Sequence, residues 1–123
     1  MTKIQYNNFC KSLIASTFVE QWGAAQVWKV GGKVFAIAGW NKGEQLAVTF
    51  KTTALDFDIL KDHPGCRPAP YLASRGFKWI QRFDDCEMLD DELKLYIQDS
   101  HQLIANALSK KKQRELGLMK TNK

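Results

Sequence analysis

No catalytic signature stands in this sequence. A glycine-rich phosphate loop, a strained nucleophile turn and a cage of metal ligands are all missing, so neither an activated nucleophile nor a cofactor or metal site is expected, and the protein reads as a non-enzyme. Cysteine is scarce. Cys10, Cys66 and Cys86 are odd in number, widely spaced and without a CxxC pair, which argues against a disulfide framework and for reduced thiols. No run approaches the roughly 18 apolar residues that a membrane span needs. Lys3, Gln5, Asn7, Asn8 and Lys11 interrupt the stretch where a signal peptide would be apolar. The expectation is a soluble, cytoplasmic, monomeric protein. Repeats, low-complexity blocks and linkers are lacking as well, so the 123 residues make one domain, placed at 1–116, with a frayed basic tail at 117–123.

What is present begins with charge. The net +5 is unevenly placed: from Ser109 onward, Lys110, Lys111, Lys112, Arg114, Lys120 and Lys123 face only Glu115 and carry the whole excess. The remainder is neutral but polarised. Thr17 to Arg82 is net basic, whereas Phe83 to Leu108 sets Lys94 against Asp84, Asp85, Glu87, Asp90, Asp91, Glu92 and Asp99.

Hydrophobic periodicity organises the rest. Leu93, Tyr96, Ile97, Ser100, Leu103, Ile104, Ala107 and Leu108 recur at helical spacing, which predicts a long helix lying on a sheet, with Asp90 capping its first turn and Lys110 to Lys112 beyond its far end. Phe77, Trp79 and Phe83 alternate with Lys78, Ile80 and Arg82, as in a strand with an aromatic inner face and a basic outer one. Upstream, Thr2 caps a first helix ending near Ser16. Strands are expected over Thr17 to Trp22, Gln26 to Val30, Lys33 to Trp40 and Gln45 to Lys51, joined by a Gly31-Gly32 hairpin turn and a turn at Asn41 to Glu44. Thr53 starts a short helix that His63-Pro64-Gly65 stops, Pro68-Ala69-Pro70 enters the next strand, and Ser109 caps a last helical segment. This order describes an α+β domain, an antiparallel sheet of about five strands covered mainly on one side.

Several residues combine chemistry with an ordinary structural explanation. Lys29 and Lys33 flank the glycine turn, Lys78 and Arg82 share one strand face, and Lys51, Arg67 and Arg75 sit at element ends; together they are the candidate phosphate contacts. Solvated turns and sheet faces carry such cations in any protein. The tail from Lys110 is the densest positive patch, and a helix end complementing its own dipole explains its first lysines. Trp28, Trp40 and Trp79 are of a type that stacks on unpaired bases, although tryptophans in strands are commonly core, as expected here for Trp79 and Trp40. Ser100 beside His101 would not face it, because adjacent helical residues point about 100° apart. Ser100 is read as a small packing residue bonding back to the Tyr96 carbonyl, and His101 as a half-buried packing residue. His63-x-x-Cys66 offers two ligands where zinc takes four, and the acidic stretch Asp84 to Glu92 reads as capping and loop solvation.

The run Pro68-Ala69-Pro70-Tyr71-Leu72-Ala73-Ser74-Arg75-Gly76-Phe77-Lys78-Trp79, followed by Leu89-Asp90-Asp91-Glu92-Leu93 and Ser100-His101-Gln102-Leu103-Ile104, resembles the MmcQ/YjbR family of small bacterial proteins. Lys51-Thr52-Thr53 and Leu108-Ser109-Lys110-Lys111 fit the same pattern. His101 departs from it, since many relatives carry Tyr there. The resemblance implies a CyaY-like, double-wing arrangement in which β-hairpins project, and it brings a DNA-binding label that rests on likeness of fold. The resulting expectation is a nucleic-acid-binding module using a basic sheet and wing face. A protein-interaction module is the alternative.

Overall fold

The computed structural model describes residues 1–40, 45–72 and 76–118. Helix α1 (Lys3–Lys11) leads into strands β1 (Ser16–Gln21), β2 (Ala25–Val30), β3 (Lys33–Ala38) and β4 (Val48–Lys51). Helix α2 (Ala54–Leu60), strands β5 (Cys66–Pro68) and β6 (Trp79–Arg82), and helices α3 (Asp90–Ala107) and α4 (Lys110–Glu115) follow. The α+β class, the single domain and the two terminal helices agree with the sequence reading. Among the described residues six strands replace about five, because the short β5 adds an edge strand beside β6.

Local chemistry sets most element starts. Thr2 accepts from the Gln5 backbone while the Gln5 side chain accepts from Thr2 N, closing a capping box. Thr53 accepts from Asp56 N, and Ser109 from Lys112 N, each at 3.1 Å. Asp90 differs from expectation. Leu89 occupies the N-cap of α3 without a side-chain hydrogen bond, and the Asp90 carboxylate is engaged elsewhere. Helix α1 stops at Lys11 rather than near Ser16, since the chain turns through Ala15 at φ 59° to enter β1.

All strand pairings are antiparallel, in the order β1-β2-β3-β4-β6-β5. Helices α1 and α3 lie on one face and α2 packs against β5 and β6. The apolar stripe of α3 runs through Leu93, Ile97, Ile104 and Ala105, with Ser100 and His101 buried within it, while Ala107 is exposed. Across the sheet, Trp28, Ala36, Phe50 and Ile80 form one register row under that stripe. Strand β3 carries an extra residue at Phe35, where the register with β2 shifts between Trp28 and Lys29. The Ser100 hydroxyl fills the resulting gap. It donates to Phe35 O at 2.7 Å and accepts from Lys51 N at 2.8 Å, so it does not bond back to Tyr96. His101 is more deeply placed than half-buried, with Nε2 2.8 Å from Ile14 O and the ring edge-on to Phe35.

Strand β6 is the main correction. Its expected basic outer face does not exist, because both sides of the strand are buried: Ile80 lies in the core cluster with Leu60, Leu93 and Ile97, and Gln81 bonds to Gly39 O and Trp40 O on the other side. Ile80 and Arg82 point into the helix-covered core, Trp79 is buried, and Phe77 before the strand is exposed.

The three cysteines are free thiols. Burial pushes the Cys10 thiol up to about 12 against a smaller opposing hydrogen bond from Tyr6, and the Cys66 thiol up to about 11 against the nearby Arg82 charge. Cys86 is exposed. Native protein at pH 8 should therefore release one rapid equivalent of chromophore from a thiol-exchange reagent and all of it only after denaturation. A second rapid equivalent would contradict the burial of Cys10 and Cys66.

Candidate nucleic-acid interface

The antiparallel registers place four of the sequence-identified cations together. Strand β2 ends, β3 begins, β4 ends and β6 begins at one end of the sheet, so Lys29, Lys33, Lys51 and, just before β6, Lys78 fall at the same end of four neighbouring strands. With strands about 4.8 Å apart, the row is about 14 Å wide. The Gly31-Gly32 turn lies in the same place, both glycines at positive φ (59° and 81°), and the Leu108 side chain occupies the space a Cβ on Gly31 would need. That contact brings the start of α4, with Lys110 to Lys112, beside the same end. None of Lys29, Lys33, Lys51, Arg67 or Lys78 makes an ion pair among the described residues. Lys78 Nζ stands 4.9 Å from the centre of the Phe57 ring, and the Arg67 guanidinium 5.0 Å from that of Phe83.

Arg82 does not join them. It sits at the opposite end of β6 and is 1% exposed, donating from Nη1 to Met88 O at 2.8 Å and to Asp90 at 3.1 Å. A contact with phosphate is closed to it by burial. Arg75 lies outside the described residues, as do the expected turn at Asn41 to Glu44 and the last residues of the tail. Arg67 stands on the β5 edge and donates from Nε to Gln81 Oε1 at 2.8 Å. On the helix side of the row, a small cleft is lined by Lys51, Asp56, Tyr96 and Asp99. Burial and the neighbouring Asp56 raise the Asp99 carboxyl above its ordinary value, and this acidic side is unsuited to a polyanion.

The face away from the helices carries what the sequence reading missed. One register row crosses the entire sheet there: Val19, Val27, Ile37, Thr49, Gln81 and Arg67. Above it opens a concavity of about 660 Å³, walled by Trp22, Trp40 and Tyr71 and floored by Val34, Ile37, Leu72 and Trp79. Leu72 belongs to the segment that leaves β5 and packs against the cluster of Ala25, Val27 and Ile37. Trp22 touches Trp40 at 5.4 Å between ring centres, and Trp40 meets Tyr71 edge-on at 5.6 Å. Trp22 and Tyr71 remain 53% and 74% exposed.

Backbone geometry holds these three rings in place. Trp22, Trp40 and Tyr71 take φ of 53°, 66° and 69°, a left-handed conformation that costs a residue with a side chain about 1–2 kcal/mol. Gln81 is fully buried and donates from Nε2 to Gly39 O and Trp40 O, both at 3.3 Å, tying the end of β3 to β6. Thr49, its cross-strand neighbour, is also fully buried, and its hydroxyl has no hydrogen-bond partner among the described residues. Tyr71 left no periodic signal, since it stands in a turn; Trp22, expected as the last residue of a strand, stands in the turn after β1, and Trp40, expected in a strand core, lies just past the end of β3. Trp28 is core, its Nε1 donating to Asn7 Oδ1.

An antiparallel sheet with helices on one face, an aromatic concavity on the other and a group of cations at one end defines a small α+β domain. The chain belongs to the YjbR family, whose model matches residues 11–103. Among solved structures it is similar to the Deinococcus radiodurans protein DR2400, described with the domain DUF419, at 21% identity and a TM-score of 0.83, covering 98% of this chain and 91% of that one. It is also similar to a Pseudomonas syringae protein at 18% identity and a TM-score of 0.67, covering 85% of this chain and 99% of that one. At these identities the likeness speaks to the fold alone. No curated protein gives a significant match. Among the described residues no helix is long and apolar enough to cross a membrane, and no three His, Cys, Asp or Glu side chains converge as metal ligands.

Proposed function

We propose that the protein is a non-enzymatic, cytoplasmic, monomeric nucleic-acid-binding module, contacting phosphates through Lys29, Lys33, Lys51 and Lys78, with Arg67 on the β5 edge. The single observation that carries this reading is the convergence of those lysines, from separate parts of the chain, at one end of the sheet with no ion pair among the described residues. Phosphate contacts of this kind position a backbone and make affinity salt-dependent. In the double-wing reading, the β2–β3 hairpin carries Lys29 and Lys33 to the backbone at its tip.

Titrating labelled single-stranded and duplex oligonucleotides at two salt concentrations tests it. Log affinity should fall linearly with log salt, and each Lys→Glu change at 29, 33, 51 or 78 should lower the magnitude of the slope by about one. Binding that vanishes only on deletion after Ser109, with those changes silent, would transfer the activity to the tail and refute the assignment. A protein-interaction module is the second reading, favoured by Ile4, Leu89 and Leu95 standing 73%, 63% and 62% exposed on the helical side. Polar replacement of those three would leave nucleic-acid binding unchanged and abolish partner capture.

A further inference from the structure

We infer that the aromatic concavity is a pocket for one unpaired nucleobase, so that the protein takes single-stranded in preference to duplex polynucleotide. The inference rests on the proposed phosphate contacts and adds to them the chemical group received beside them. A volume of about 660 Å³ falls in the range of small-ligand sites, whose walls are mostly apolar with few polar groups. A base is a flat π-system, and Trp22, Trp40 and Tyr71 form a continuous wall of rings on which one can stack.

Two further observations point to this occupant. The rings of Trp22 and Tyr71 stay half or more exposed although all three wall residues sit in left-handed backbone, so core packing is not what the conformation serves. Among the described residues no lining side chain carries a charge, while Val34 pairs across strands with Lys29 and Trp79 with Lys51, so a ligand in the concavity has cations beside it.

Other ligands fit less well. An ammonium cage needs rings facing one another across a void, whereas these touch side by side, and the adjacent positive charge opposes a cation. An apolar side chain of a peptide would use the rings but not the lysines. A duplex keeps its bases stacked inside and presents none to the concavity. The β2 strand spans about 13 Å from Lys29 to Ala25, where Gly39 and the ring wall lie, so a short run of strand reaches both features.

The test measures intrinsic tryptophan fluorescence and affinity of the full chain with a single-stranded oligonucleotide, the same length of abasic sugar-phosphate, and the matching duplex. The base-bearing strand should quench and bind at least about ten-fold tighter than the abasic one, a comparison that needs no variant. Trp22→Ala and Tyr71→Ala, each removing an exposed ring, should each weaken the base-bearing strand by about five-fold or more and leave the abasic strand and the salt slope unchanged. Equal, salt-dependent binding of base-bearing and abasic strands would overturn the base pocket and leave the phosphate reading standing. Loss of all salt-dependent binding would remove both. A change in tryptophan emission with N-acetylleucinamide and no response to any oligonucleotide would assign the concavity to a peptide side chain and overturn the inference.

Discussion

Replacing Arg82 with alanine is expected to cost about 3–5 kcal/mol, a large fraction of the total stability of a domain this size. The side chain is buried at the end of β6, and its guanidinium joins Met88 O to the Asp90 carboxylate at the start of α3. Truncation empties a long volume in the core and leaves a carbonyl there without its donor. Asp90 is 40% exposed, so water compensates that end of the pair and the loss arises mainly on the arginine side. Arg82→Met, which keeps the volume without the charge, should retain much more of the stability than alanine. Urea denaturation of both variants decides it; equal losses would show that hydrogen bonding, rather than filled space, dominates.

The same carboxylate sets an acid limit. Burial pushes Asp90 up, but hydrogen bonds and charge from the Met1 ammonium and from Arg82 outweigh it, and the net shift is downward from the ordinary aspartate value. A depressed folded-state pKa means that the stabilisation is complete above the unfolded value near 3.9 and is lost as pH falls below it through the folded one. Asp90→Asn should remove that part of the acid dependence.

The second large effect is expected at Ser100. Ser100→Ala removes the hydroxyl that bridges Phe35 O and Lys51 N and leaves both backbone groups unpaired, at about 1–3 kcal/mol each. Ser100→Thr cannot restore it without crowding, because the position is 0% exposed under the sheet. The loss should be accompanied by faster amide exchange of Lys51, measured by NMR. Unchanged protection there would mean that β3 and β4 close the gap without the helix.

The helix α3 stripe, the Gly31-Gly32 turn and the caps at Thr2, Thr53 and Ser109 were legible because each depends on residues within one or two turns of one another. The cationic candidates were legible by type, and four of them converge. The facing of β6 was not: alternation gives two faces without saying which is buried, and here both are. Arg82 read as a surface cation because its acceptors, Met88 O and Asp90, become neighbours only when α3 docks. Strand β5 escaped notice because three residues ending in Pro68 form a strand only where β6 offers an edge.

The amino-acid order alone determined the α+β class, the positions of most elements and the positive segments, since hydrogen-bond caps, turn preferences and hydrophobic period act over short separations. Only the tertiary structure decided which cations meet, that Arg82 is withdrawn from solvent, and that Trp22, Trp40 and Tyr71 surround one concavity. Those facts follow from strand register and from the return of the chain across the open face, which bring together residues that share no local pattern.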